Sequence, residues 1–171
     1  MVQYLVFDIE TRVDKELVKE VYDPENNLTL DQAYDTARDR ILEKSNQQSD
    51  FFPIPFHIPI AISTMQVDEN YRILSLGCLG ADRYTEEEMV ARFWSIFESA
   101  RTLVTFNGRG FDLPVLETRA LKFALPLPRY SAPTRGGAPT GAAGTATPTT
   151  STCAISCRIS APRTGAVRST S

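Results

Sequence analysis

Two acids near the start of the chain, Asp8 and Glu10, sit two apart behind a largely apolar run from Val2 to Phe7. In a β-strand, side chains at i and i+2 leave the same face. Both carboxylates would then point one way, and Ile9 the other way, into a core. Held roughly 6–7 Å apart, two carboxylates repel each other unless something positive lies between them. Hard divalent cations such as Mg²⁺ take oxygen ligands of this kind. A strand end with two solvated acids accounts for these residues equally well, and ten residues do not separate the two readings.

A third acid, Asp112, follows a short apolar strand and opens a helix. Sites in α/β folds lie at the carboxyl ends of strands, which is where all three acids fall. Three acids converging there would hold two Mg²⁺ or Mn²⁺ ions. Two ions about 3.5–4 Å apart suit in-line attack of water on a phosphodiester, activating the water and stabilising the leaving 3′ oxygen.

The elements that must position these acids can be read in order. Strand one is expected over 2–8, with Glu10 and Thr11 at its exit. A polar stretch follows, in which Leu30, Tyr34, Ala37 and Ile41 recur at helical spacing. Thr29 with Gln32 is a capping-box pattern, so a helix is predicted over 30–44. The three prolines between Phe51 and Pro59 predict an extended, non-helical path. Residues 60–67 and 71–79 read as an antiparallel hairpin around an Asp68-Glu69-Asn70 turn. Thr85 with Glu88 is a second capping box, and Val90, Phe93, Trp94 and Phe97 follow on one helix face. Residues 102–106 form a short strand, Asn107-Gly108-Arg109-Gly110 a loop, and Phe111 onward a helix that tolerates Pro114 in its first turn. The sum is an α/β chain with a mixed central sheet flanked by helices.

The chain has 171 residues, 42% hydrophobic and 23% charged, with a formal net charge of −3. One globular domain with a real core is expected. A weakly acidic protein binds nucleic acid only by concentrating its Lys and Arg locally, so global charge neither supports nor excludes such a partner. Cys78, Cys153 and Cys157 make no even disulfide framework, and no second pair of ligands accompanies 153 and 157. Without a signal peptide pattern or a membrane-spanning run, a cytoplasmic protein with no membrane partner is expected.

Phe7-Asp8-Ile9-Glu10-Thr11 resembles the first motif of the DEDD 3′–5′ exonucleases, and Asn107-Gly108-Arg109-Gly110-Phe111-Asp112 the second, Asn-x₃-Phe-Asp. The spacing, and the Phe56 to Ser63 stretch, are similar to the group related to the proofreading domain of family B DNA polymerases. The resemblance covers residues 1–130. It implies a ribonuclease H-like fold and metal-dependent removal of nucleotides from a single-stranded 3′ end, with DNA favoured over RNA. Carried over, Asp8, Glu10 and Asp112 are metal ligands and catalytic residues. Thr11, Asn107 and Phe111 are substrate-binding residues at the terminal nucleotide. As plain structure, Asn107 is a turn residue and Phe111 a core anchor. His57, in a proline-rich packing segment, is expected to be structural, and Arg109 a solvated loop residue.

The third motif of that family, Tyr or His, three residues, then Asp, has no counterpart after Asp112, and no acid follows Glu117. From Ser131 the chain contains no Leu, Lys, acid or aromatic residue, which predicts a disordered tail over 131–171 and a fold incomplete at that end. This vocabulary is what GC-rich DNA yields out of frame. Shifting the frame over 150–162 permits His-Val-Asp-Leu-Cys-Asp-Leu-Leu-Ser-Asp-Phe-Gly-Ala, similar to the family's next block. A frameshifted, impaired exonuclease is therefore the first reading. A non-catalytic ribonuclease H-like module binding nucleic acid or protein is the second. A phosphate-binding loop at 107–110 lacks the Lys-Ser/Thr ending and is weakest.

Overall fold

The computed structural model describes residues 1–127 and 150–151. The tail over 131–171 lies outside the described residues except for Thr150–Ser151. Strand β1 (Tyr4–Val13) leads into helices α1 (Lys15–Tyr22) and α2 (Leu30–Lys44). A 3₁₀ turn (Ile54–Phe56) then precedes strands β2 (His57–Val67) and β3 (Ile73–Gly80). Helix α3 (Glu86–Glu98), strand β4 (Thr102–Val104), helix α4 (Asp112–Lys122) and the two-residue strand β5 (Thr150–Ser151) complete the order.

The sheet runs β3-β2-β1-β4-β5. β1 pairs antiparallel with β2, and β2 antiparallel with β3. β4 joins β1 in parallel, which requires the crossover that α3 supplies. The mixed α/β architecture is that of the ribonuclease H-like fold the sequence predicts.

Alternation along β1 sends Leu5, Phe7 and Ile9 to one face, all buried. They meet Val90, Phe93, Trp94 and Phe97 of α3 and Leu113, Leu116 and Ala120 of α4 in the main core. Both capping boxes form: Thr29 with Gln32, and Thr85 with Glu88, each side chain bonding the other residue's backbone N–H. A second, smaller core gathers Val18 of α1, Ala37 of α2, and Phe52 and Phe56.

Several expected boundaries are corrected. β1 does not end at Asp8; pairing with β2 continues to Val13 opposite His57, so Glu10 and Thr11 lie within the strand. Helix α1 is additional, capped by the Asp14 carboxylate on the Leu17 N–H. Residues 54–56 form a 3₁₀ turn rather than an extended path, with Pro55 inside the turn, where a fixed φ is compatible. β2 starts at His57, three residues before the expected start, and includes Pro59. β3 does not reach that far, ending at Gly80 opposite Ala61, so no ladder bond is lost there. β3 begins at Ile73 rather than Tyr71, because the turn extends to Arg72. β4 stops at Val104, two residues early.

Candidate active site

Parallel pairing sets β4 beside the first part of β1, Val104 opposite Val6. The chain then leaves the sheet two residues short of Asp8 and crosses the carboxyl end of β1 in the loop 105–111. That crossing delivers Asp112, the first residue of α4, to Asp8 and Ile9. The Ile9 backbone N–H favours the ionised form of both the Asp8 and the Asp112 carboxyl, and the negative charge of Asp8 opposes that of Asp112.

Asp112 is buried, with 3% of its surface exposed, and Thr105 Oγ1 donates to its Oδ2 at 3.4 Å. Burial pushes its carboxyl up to about 6. The negative charge of Asp8 pushes the same way, while its own backbone N–H, the Ile9 N–H and the Thr105 hydroxyl hold it down. Burial likewise raises Asp8, opposed by the Ile9 N–H. Two adjoining carboxylates in a desolvated corner are the charge arrangement that an oxygen-ligated divalent cation relieves, so this donor pair fits Mg²⁺ or Mn²⁺.

Glu10 is exposed on the same strand, three residues before its end. Among the described residues, no group of three or more His, Cys, Asp or Glu side chains is close enough together to hold a metal ion. The fold thus brings Asp8 and Asp112 together, with Glu10 two residues along β1. At this point the β1–β2 register shifts: Glu10 faces Ala61 but Thr11 faces Pro59, leaving Ile60 as an extra residue. Such bulges recur beside active sites, where they re-aim side chains.

Beyond the bulge, Thr11 Oγ1 lies 3.0 Å from His57 Nδ1, and His57 Nε2 lies 2.9 Å from the Phe52 carbonyl. A carbonyl only accepts, so Nε2 carries the proton, and in the neutral ring Nδ1 accepts from the Thr11 hydroxyl. His57 is buried with both nitrogens engaged, which is a structural role. Phe111 is half-buried, its ring edge-on to His57 at 5.0 Å and 5.4 Å from Phe51. Asn107 is exposed with φ of 52°, and its carbonyl accepts from the Gly110 and Phe111 N–H groups. This is turn work, whatever else its side chain does. Arg109 is exposed.

Four contributors were not anticipated from sequence. Thr105 supports Asp112. Arg119 of α4 is buried and pairs with Asp14, at the exit of β1, and with Glu86 of α3. Arg119 lies three residues after Leu116, inside the apolar stripe, which is the signal that it would be buried and paired.

A comparison with curated proteins returns no match. Residues 49–137 match the family described as a predicted 3′–5′ exonuclease related to the exonuclease domain of PolB. The matched span holds the Asn107 to Asp112 segment and more than half of the 171 residues. With the mixed sheet and the loop that carries Asp112 to Asp8, the chain belongs to this family of predicted 3′–5′ exonucleases.

Proposed function

We propose that the chain carries the metal site of a 3′–5′ exonuclease acting on a single-stranded 3′ end, DNA in preference to RNA, and that its turnover is impaired. The observation that supports this is the Asp8–Asp112 pair, two repelling carboxylates brought together by β1 and the start of α4. Asp8 and Asp112 would hold Mg²⁺ or Mn²⁺, and Glu10 would join them from two residues along β1. The bound ions would activate water and stabilise the leaving 3′ oxygen. The protein's part is to hold the carboxylates aligned, with Asn107 shaping the loop and Thr11 and Phe111 flanking the acids beside the terminal nucleotide, and a bound cation would favour their ionised forms. The sequence holds no Tyr or His followed after three residues by Asp beyond Asp112. Missing a fourth carboxylate and a group to orient the water costs orders of magnitude in rate. We attribute the composition after Ser131 to a slipped reading frame; the nucleotide sequence around codon 130 tests this, and an intact frame refutes it.

Titration calorimetry with Mn²⁺ on the wild type, Asp8→Ala and Asp112→Asn is the direct test, paired with cleavage of a 3′-ended oligonucleotide. Weak Mn²⁺ binding, lost in both variants, with little or no cleavage is expected. Absence of a heat change in the wild type favours the second reading, a non-catalytic ribonuclease H-like module that binds nucleic acid or protein. Robust cleavage refutes the impairment.

A further inference from the structure

We propose that Phe51 is a stacking platform for the terminal nucleobase, an inference that rests on the nuclease reading and adds the binding surface for its substrate. Phe51 is 58% exposed, whereas Phe52 and Phe56 of the same segment are buried. Yet it is not loose. Its ring stacks on His57 at 4.8 Å with 26° between the planes, and meets Phe111 edge-on at 5.4 Å. Its backbone N–H donates to Ser49 Oγ.

The pedestal beneath it is rigid. His57 is locked by Thr11 on one nitrogen and the Phe52 carbonyl on the other, and Phe111 closes its edge at 87°. Phe51 therefore presents a fixed aromatic surface, one side supported and much of the rest in water.

Its location gives the ligand. The two residues that frame the pedestal, Thr11 and Phe111, are the chain neighbours of Glu10 and Asp112. Through Phe111, whose ring it meets and whose next residue is Asp112, the platform is tied to the segment that supplies one of the acids. A flat aromatic group entering beside the acid pair would stack there, and every nucleobase has such a face. The ligand class is an unpaired nucleobase at a strand end, without preference among the four. A base buried in a duplex has no free face to offer.

The full 171-residue chain is titrated, with EDTA present, into two labelled single-stranded oligothymidylates. One has an intact 3′ nucleotide and the other an abasic one. Phe51→Ala is expected to weaken binding of the intact strand by about 5- to 100-fold. It should leave the abasic strand unchanged, so the variant no longer tells the two apart. Phe51→Trp should restore the discrimination, and its fluorescence should be quenched by the intact strand above the background from buried Trp94. The platform is overturned if Phe51→Ala binds the intact strand as the wild type does, or still discriminates as the wild type does. If the wild type binds neither strand, the nuclease reading itself falls. If the wild type binds the intact strand and Mn²⁺ but is indifferent to Phe51, only the platform falls.

Discussion

Arg119, in the third turn of α4, holds Asp14 at the exit of β1: both terminal nitrogens of the guanidinium lie 3.3 Å from Asp14 Oδ2. Glu86 closes the other side of the guanidinium. The three residues come from β1's exit, α3 and α4, and they tie the strand that carries Asp8 to the helix that begins with Asp112. Arg119 is only 2% exposed, so truncating it would strand two carboxylates in a desolvated place. Arg119→Ala should destabilise the protein by about 3–5 kcal/mol in urea unfolding. Asp31→Ala removes the exposed pair with Lys15 and should cost less than about 1 kcal/mol.

The Asp112 carboxyl, at about 6 against 3.8 in water, makes stability depend on pH. Between those values the native protein keeps a proton that the unfolded chain has released. The stability this supplies is full below the unfolded value and is lost as pH rises through about 6. The size is on the order of 3 kcal/mol. Metal-free wild type minus Asp112→Asn, measured in urea from acid to neutral pH, should fall in that window. At neutral pH, Mn²⁺ at a hundred times its dissociation constant should return about 2.7 kcal/mol to the wild type and nothing to the variant.

Gly108 is packed so closely that a Cβ there would collide with the Thr105 side chain, whose Oγ1 would lie at 2.8 Å. The neighbour that must give way is the one that donates to Asp112. Gly108→Ala should cost about 1–3 kcal/mol in stability. It should also weaken Mn²⁺ binding by calorimetry.

Leu76 is 71% exposed on β3, which pairs only with β2 among the described residues, beside exposed Ile73 and Leu74. A flat apolar edge is a template for self-association. Leu76→Lys should lower light scattering at high concentration while changing stability by less than about 0.5 kcal/mol.

How much of this could be read from sequence depended on how local the signal was. The capping boxes at Thr29 and Thr85 placed two helix starts to the residue, because each motif satisfies its own backbone groups within four positions. The stripe from Val90 to Phe97 gave the main core for the same reason. Helix α1 was missed although Leu17, Val18, Val21 and Tyr22 recur at helical spacing, because only eight residues carry the pattern. The early start of β2 was hidden by Pro59, which lies beside the bulge and beyond the end of β3. Asp8 and Asp112 were legible as a site from their motifs, although the strand end expected at Asp8 lies five residues further on, at Val13. The supports were less so: the place of Arg119 in the apolar stripe signals burial but not its partners Asp14 and Glu86, which lie far off in sequence, and nothing in the type of Thr105 marks it as a donor to Asp112 seven residues on.

The smaller core has a consequence for how the molecule breathes. Helices α1 and α2 rest on Phe52 and Phe56, the same segment that cradles His57, and only a handful of side chains bind them. A cluster so modest opens at a lower free energy than the main core, as a cooperative unit of its own. Amide protons of the two helices should therefore exchange ahead of those in β1 and α4. Each such opening would unseat the imidazole and tip the Phe51 ring that rests on it.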